Sequence, residues 1–120
     1  MAQYLYRIRP VRVGFLTDPT AEESARVSEH FAYLKDLTHR GTVLLAGRTQ
    51  NEDDATFGIV LFEADSMEEA ETIMRRDPAV HAGVFQAELF PYEIALVSPR
   101  LAEQALRLNA GGVTAPSSRL

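Results

Sequence analysis

The chain has 120 residues, 46% of them apolar and 24% charged, a size and balance that suit one folded domain and exclude global disorder. Its net charge of −5 argues against the clustered basic surface that a nucleic-acid backbone requires. With no cysteine, disulfides, thiolate catalysis, iron–sulfur clusters and cysteine-ligated zinc are excluded.

Residues 3 to 16 read as one long strand kinked at Pro10, because proline cannot donate to a sheet ladder. Tyr4, Tyr6 and Ile8 alternate with Leu5, Arg7 and Arg9. Arg7 and Arg9 share one face and Arg12 takes the other, so the three form no basic patch. No apolar run reaches signal-peptide or transmembrane length, and a cytoplasmic protein with no membrane partner is expected.

The first helix opens either with Asp18 as cap and Pro19 first, or with a Thr20–Glu23 capping box, and Gly41 closes it. Val27, Phe31, Leu34 and Leu37 mark its buried stripe. Thr42 to Ala46 reads as a short strand, and Arg48 to Thr56 as an exposed hairpin loop. Phe57 to Ala64 follows as a strong strand. A second helix starts at Ser66 with Glu69 and must end near Asp77, since Pro78 forces its predecessor out of the helical region. Val84 to Val97 reads as the last strand, broken by Pro91. A short amphipathic helix after Ser98 carries Leu101, Ala105 and Leu108 on one side, and Asn109 to Leu120 reads as a mobile tail. Residues 1–97 thus form the domain and 98–120 an appendage.

Strand, helix, strand, strand, helix, strand is the ferredoxin-like β-α-β-β-α-β order, an α+β sandwich with two helices on one face of a four-stranded antiparallel sheet. Both faces of the third strand are apolar: Phe57, Ile59 and Leu61 point one way, Val60, Phe62 and Ala64 the other. The second face needs a cover. Either a second copy of the chain covers it, giving a homodimer, or the C-terminal helix folds back over it.

Two side chains stand out chemically. At ~100° per residue His30 lies within ~40° of the buried direction of its helix, whereas His39 lies about 140° away. An inward histidine needs a hydrogen-bond partner, either a structural one such as Tyr33 or a backbone carbonyl, or a catalytic one. Asp77 sits at the foot of the second helix, where a carboxylate opposes the negative end of the dipole. Arg75 and Arg76 or a turn-capping role account for it, or it orients a histidine on the neighbouring helix. A carboxylate that fixes an imidazole tautomer leaves the other ring nitrogen to move a proton. Arg48, at a strand end after Gly47, is a candidate anion contact, and His81 a candidate pocket-lining residue. Glu52, Asp53 and Asp54 lack the spacing and glycine of a calcium loop. No histidine pair has metal-ligand spacing and no glycine-rich phosphate motif is present, so neither metal nor cofactor is expected.

At these residues the sequence resembles the YciI-like (YCII-related) family of the dimeric α/β-barrel superfamily. The likeness rests on HFAYL (30–34), GTVLLAG (41–47), FEADS (62–66) with Glu69-Ala70, DPAVHAGV (77–84) and the closing Pro91, over roughly residues 3 to 97. The resemblance implies a dimer with sheets face to face, and an active-site pair carried onto His30 and Asp77. Some members resemble enzymes acting on small hydroxylated aromatic or cyclic acids, a dehydrochlorinase among them, with muconolactone isomerases more distant. This chain has Gly47-Arg48 where the family often has Gly-Pro. The leading expectation is cofactor-free proton abstraction, elimination or isomerisation on a small organic acid. Against it stand a dimeric ligand- or protein-binding module and a purely structural pair. The enzyme reading expects His30→Ala to abolish turnover at little cost in melting temperature.

Overall fold

The computed structural model describes residues 1–110. β1 (Ala2–Pro10) turns Tyr4, Tyr6 and Ile8 into the core and leaves Leu5, Arg7 and Arg9 on the opposite face. It ends at Pro10 rather than running on to residue 16. Beyond it the chain curls through turns, with Phe15 N–H bonded to the Arg12 carbonyl and Asp18 N–H to that of Gly14. Gly14 holds φ at +91°, a conformation an extended strand of L-residues cannot supply. The curl drives Phe15 into the core, edge-on to Phe85 at 5.7 Å.

α1 (Ala21–His39) uses the second of the two expected starts, a complete Thr20–Glu23 capping box. Glu23 is also gripped from the preceding turn. Arg12 places Nε and Nη2 on its two carboxylate oxygens at 2.9 and 2.8 Å. This fork is the main cause that holds the Glu23 carboxyl down at about 2, against the opposing effect of burial. Val27, His30 and Leu34 continue the same buried face. Gly41, at φ +81°, releases the chain into β2 (Val43–Arg48).

The connection over 49–57 is an open loop in which Asp53 accepts from Asn51 Nδ2 and from the Ala55 N–H. β3 (Gly58–Ala64) then leads to α2 (Met67–Arg75), whose N-cap Ser66 accepts from the Glu69 N–H at 3.1 Å. A one-turn helix, α3 (Pro78–His81), follows directly, with Asp77 as its N-cap. Asp77 therefore sits at the start of a helix as well as beyond the end of one. That removes the expected clash with a helix C-terminus. β4 (Phe85–Tyr92) stops five residues short of the expected Val97, and α4 (Arg100–Ala110) follows. The tail read from Asn109 lies outside the described residues from 111 onward.

The sheet order is β2-β3-β1-β4, antiparallel throughout, with the helices of the domain on one face. This is the ferredoxin-like arrangement. Because β4 is an edge strand, Pro91 is accommodated opposite Tyr4 without breaking an inner ladder. The other face carries one apolar residue from every strand in register: Leu45 beside Leu61, Leu61 beside Leu5, and Leu5 beside Phe90. α4 does not cover this row with its own apolar side, since Leu101, Leu106 and Leu108 stay exposed.

Glu23 is ionised in the fold at pH values where an unfolded glutamate, near 4.3, is already protonated. Its contribution is therefore fully present above that value and is lost as pH falls toward 2. Arg12→Ala should lower the melting temperature at neutral pH, and the gap from wild type should close as pH falls below about 4. A gap independent of pH, read by circular dichroism melts, would show that the fork does not couple to folding.

Candidate functional site

Three segments that share no local sequence meet behind the sheet. His30 comes from the buried stripe of α1, Asp77 from the α2–α3 junction and Tyr6 from the inward phase of β1. All three are 0% exposed. Asp77 is placed by Pro78, which ends α2 and starts α3, so that its carboxylate turns back to accept the Ala79 N–H at 3.0 Å. His30 Nδ1 lies 2.8 Å from Asp77 Oδ1 and 2.7 Å from Oδ2, between the two oxygens. Tyr6 donates its hydroxyl to Oδ2 at 2.8 Å. Phe85 closes the group, edge-on to the His30 ring at 5.2 Å.

The electrostatics follow from burial. Desolvation first, and then the charge and hydrogen bond of Asp77, push the Tyr6 phenol well above its ordinary range. Tyr33, on the next turn of α1 from His30, is pushed up to about 12 by burial and then by Asp77. Its hydroxyl donates to the Ile73 carbonyl at 2.7 Å and ties α1 to α2. A carboxylate on Nδ1 sets that nitrogen as the proton-bearing one.

The other candidates sit elsewhere. Arg48 donates to the Thr49 carbonyl and lines a groove of about 290 Å³ with Leu45, Gly47, Thr49, Phe57 and Ile59. Leu45 and Ile59 belong to the sheet face opposite the helices, and the groove lining includes neither His30 nor Asp77. His81 is exposed at the end of α3, one turn after Asp77, whose carbonyl accepts its N–H at 2.8 Å. Among the described residues no group of three or more His, Cys, Asp or Glu could hold a metal ion. Nor is any described helix long and apolar enough to cross a membrane. Tyr6 was not singled out from the sequence. Its inward phase was legible, but a partner 71 residues away leaves no local mark.

Comparison with known families settles the group to which this architecture belongs. The YCII-related domain matches residues 7–92. The chain belongs to the YCII-related family. No curated protein matches it. Among solved structures, this YCII-related chain is similar to a 5-chloro-2-hydroxyhydroquinone dehydrochlorinase, TftG, from Burkholderia phenoliruptrix, in complex with 2,5-dihydroxybenzoquinone. The identity is 22%, with 77% of this chain and 95% of that one covered at a TM-score of 0.57. SnoaB, a cofactor-independent oxygenase from Streptomyces nogalater, is similar at 12% identity over 82% of this chain and 96% of its own, with a TM-score of 0.48. At 22% identity the dehydrochlorinase likeness speaks for the fold alone.

Complete burial changes what a substitution at His30 reports. Removing either partner leaves a buried polar group short of a bond, which costs about 3–5 kcal/mol. That is a large part of the roughly 5–15 kcal/mol that stabilises a domain. His30→Ala therefore cannot spare the melting temperature, whatever its role in catalysis. His30→Ala and Asp77→Ala should each destabilise strongly in chemical denaturation, and the double variant by less than their sum, with a coupling of about 1–3 kcal/mol. Additive losses would mean that the two side chains do not act as a pair.

Proposed function

We propose that this YCII-related protein is a cofactor-free acid–base enzyme, a lyase or isomerase, acting on a small hydroxylated aromatic or cyclic organic acid. The observation that carries the reading is the His30–Asp77 contact, with Nδ1 within 2.8 Å of both carboxylate oxygens. Asp77 holds the ring orientation and stabilises the imidazolium formed when Nε2 takes a proton from carbon. Returning that proton to another carbon gives isomerisation. Loss of a leaving group from the carbanion gives elimination. The dehydrochlorinase likeness and the family membership support this reaction class. This step uses neither Arg48, which lines the groove with Leu45 and Ile59, nor His81 at the end of α3.

A second reading has its own observation. A pair that is 0% exposed is what a structural tie would look like, with the domain serving as a binding module. On the enzyme reading a ligand reaches His30 by moving covering groups, of which Phe85 stands edge-on to the ring and is backed by Phe15. Transfer of deuterium from heavy water into carbon acids tests the choice without a known product. In a panel of small hydroxylated aromatic and cyclic acids, wild type should catalyse exchange into at least one member, and folded His30→Gln should lose it by 100-fold or more, the scale of ~10²–10⁴ that a general base supplies. 2,5-Dihydroxybenzoquinone is the first binding probe, read by the His30 imidazole nitrogen signals. Equal exchange by wild type and His30→Gln, or none by wild type, favours the structural tie.

The working unit is proposed to be a homodimer in which the rows of Leu45, Leu61, Leu5 and Phe90 from two copies face each other. Phe90, at the edge of the row, is 42% exposed in the single chain, apolar area that a second copy would cover. Wild type should scatter light as two chains, and Phe90→Asp as one with its fold intact. A Phe90→Asp protein that stays paired would remove this face from the interface.

A further inference from the structure

The buried carboxylate of Asp77 has more donors than a His–Asp dyad needs, and one of them is chemically expensive to place there. The Ala79 N–H comes with the α3 turn, but Tyr6 brings its hydroxyl across the whole core from the middle of β1. A phenol with no exposed surface must find a partner, and the Ile73 carbonyl that serves Tyr33 shows that a backbone oxygen would suffice. Tyr6 instead bonds Oδ2, the same oxygen that lies 2.7 Å from His30 Nδ1. The ring is itself positioned, edge-on to Phe62 at 5.7 Å with the planes 75° apart.

We propose that Tyr6 is a positioning residue of the proton-transfer centre, which shares the charge of Asp77 with His30 and so sets how strongly the carboxylate pulls on the Nδ1 proton. The inference rests on the proton-transfer reading of the site and adds a third member to it. A carboxylate that accepts several hydrogen bonds is a weaker base than one that accepts a single bond. With the Tyr6 hydroxyl on Oδ2, part of the carboxylate's hydrogen-bonding capacity is turned away from the imidazole. Without it, negative charge gathers toward the ring and the Nδ1–H bond to the carboxylate tightens. The hydroxyl keeps its proton throughout the neutral range, because burial and the adjacent carboxylate both disfavour a phenolate. It is therefore a constant donor rather than a second switch.

Tyr6→Phe removes the hydroxyl and keeps the ring against Phe62. The direct readout is the Nδ1 proton signal of His30 in the full chain, by nuclear magnetic resonance. Tyr6→Phe should move that signal downfield, whereas Tyr33→Phe, which deletes the hydroxyl bonded to Ile73, should leave it in place. In the deuterium-exchange assay the same variant should be slower by about tenfold, equivalent to roughly 1.4 kcal/mol. If Tyr6→Phe fails to fold, Tyr6→3-fluorotyrosine supplies a stronger donor in the same shape and should move the signal upfield. An Nδ1 signal unchanged by both substitutions overturns the proposal, even where exchange slows, because the loss would then be one of packing. A shifted signal in a protein that exchanges no carbon acid leaves the three-way hydrogen bonding intact and places the failure in the enzyme reading.

Discussion

A single buried charge organises the molecule. The carboxylate of Asp77 lies in an interior where an unpaired ion would be untenable, so its donors have to arrive from wherever the fold can supply them. They come from β1, α1 and the first turn of α3. Each of those elements is thereby held in one relative position. A strand slipped by one residue would turn Tyr6 to the opposite face and leave Oδ2 short of a partner. The site and the register of the sheet therefore constrain each other.

The two faces of the sheet divide the work. The helix side holds the aromatic core, in which Phe15, Phe85 and His30 form a chain of edge contacts leading from the β1–α1 turn to the imidazole. The opposite side holds the four-strand apolar row and, beside it, the groove lined by Arg48. Polar pairs interrupt that second face, with Arg7 bonded to Glu88 and its guanidinium 5.9 Å from the Phe57 ring centre. A buried polar cluster and an apolar row can share so small a domain because the strands stand between them.

Much of this was readable residue by residue. Thr20 with Glu23 and Ser66 with Glu69 mark helix starts because short side chains there satisfy orphan N–H groups. Pro78 marks the end of α2 by sterics alone. The inward aim of His30 followed from its place on the stripe. The extents of β1 and β4 did not, because Val13–Phe15 and Glu93–Val97 keep an apolar pattern where the ladders have ended. Periodicity records which side chains seek the interior; it does not record whether a neighbouring strand is there to bond. α3 escaped notice for a related reason: four residues are too few to show a helical period.

The sequence by itself determined the order of the strands and longer helices, the two-faced sheet and the inward placement of His30, since each depends on local stereochemistry or on periodic burial. Tertiary structure alone decided that Asp77 meets His30 Nδ1, that Tyr6 joins them, and that Arg48 lines a groove apart from them. Those outcomes depend on contacts between segments distant in the chain. No spacing along a sequence carries a distance of that kind, and only the closed packing of the core fixes it.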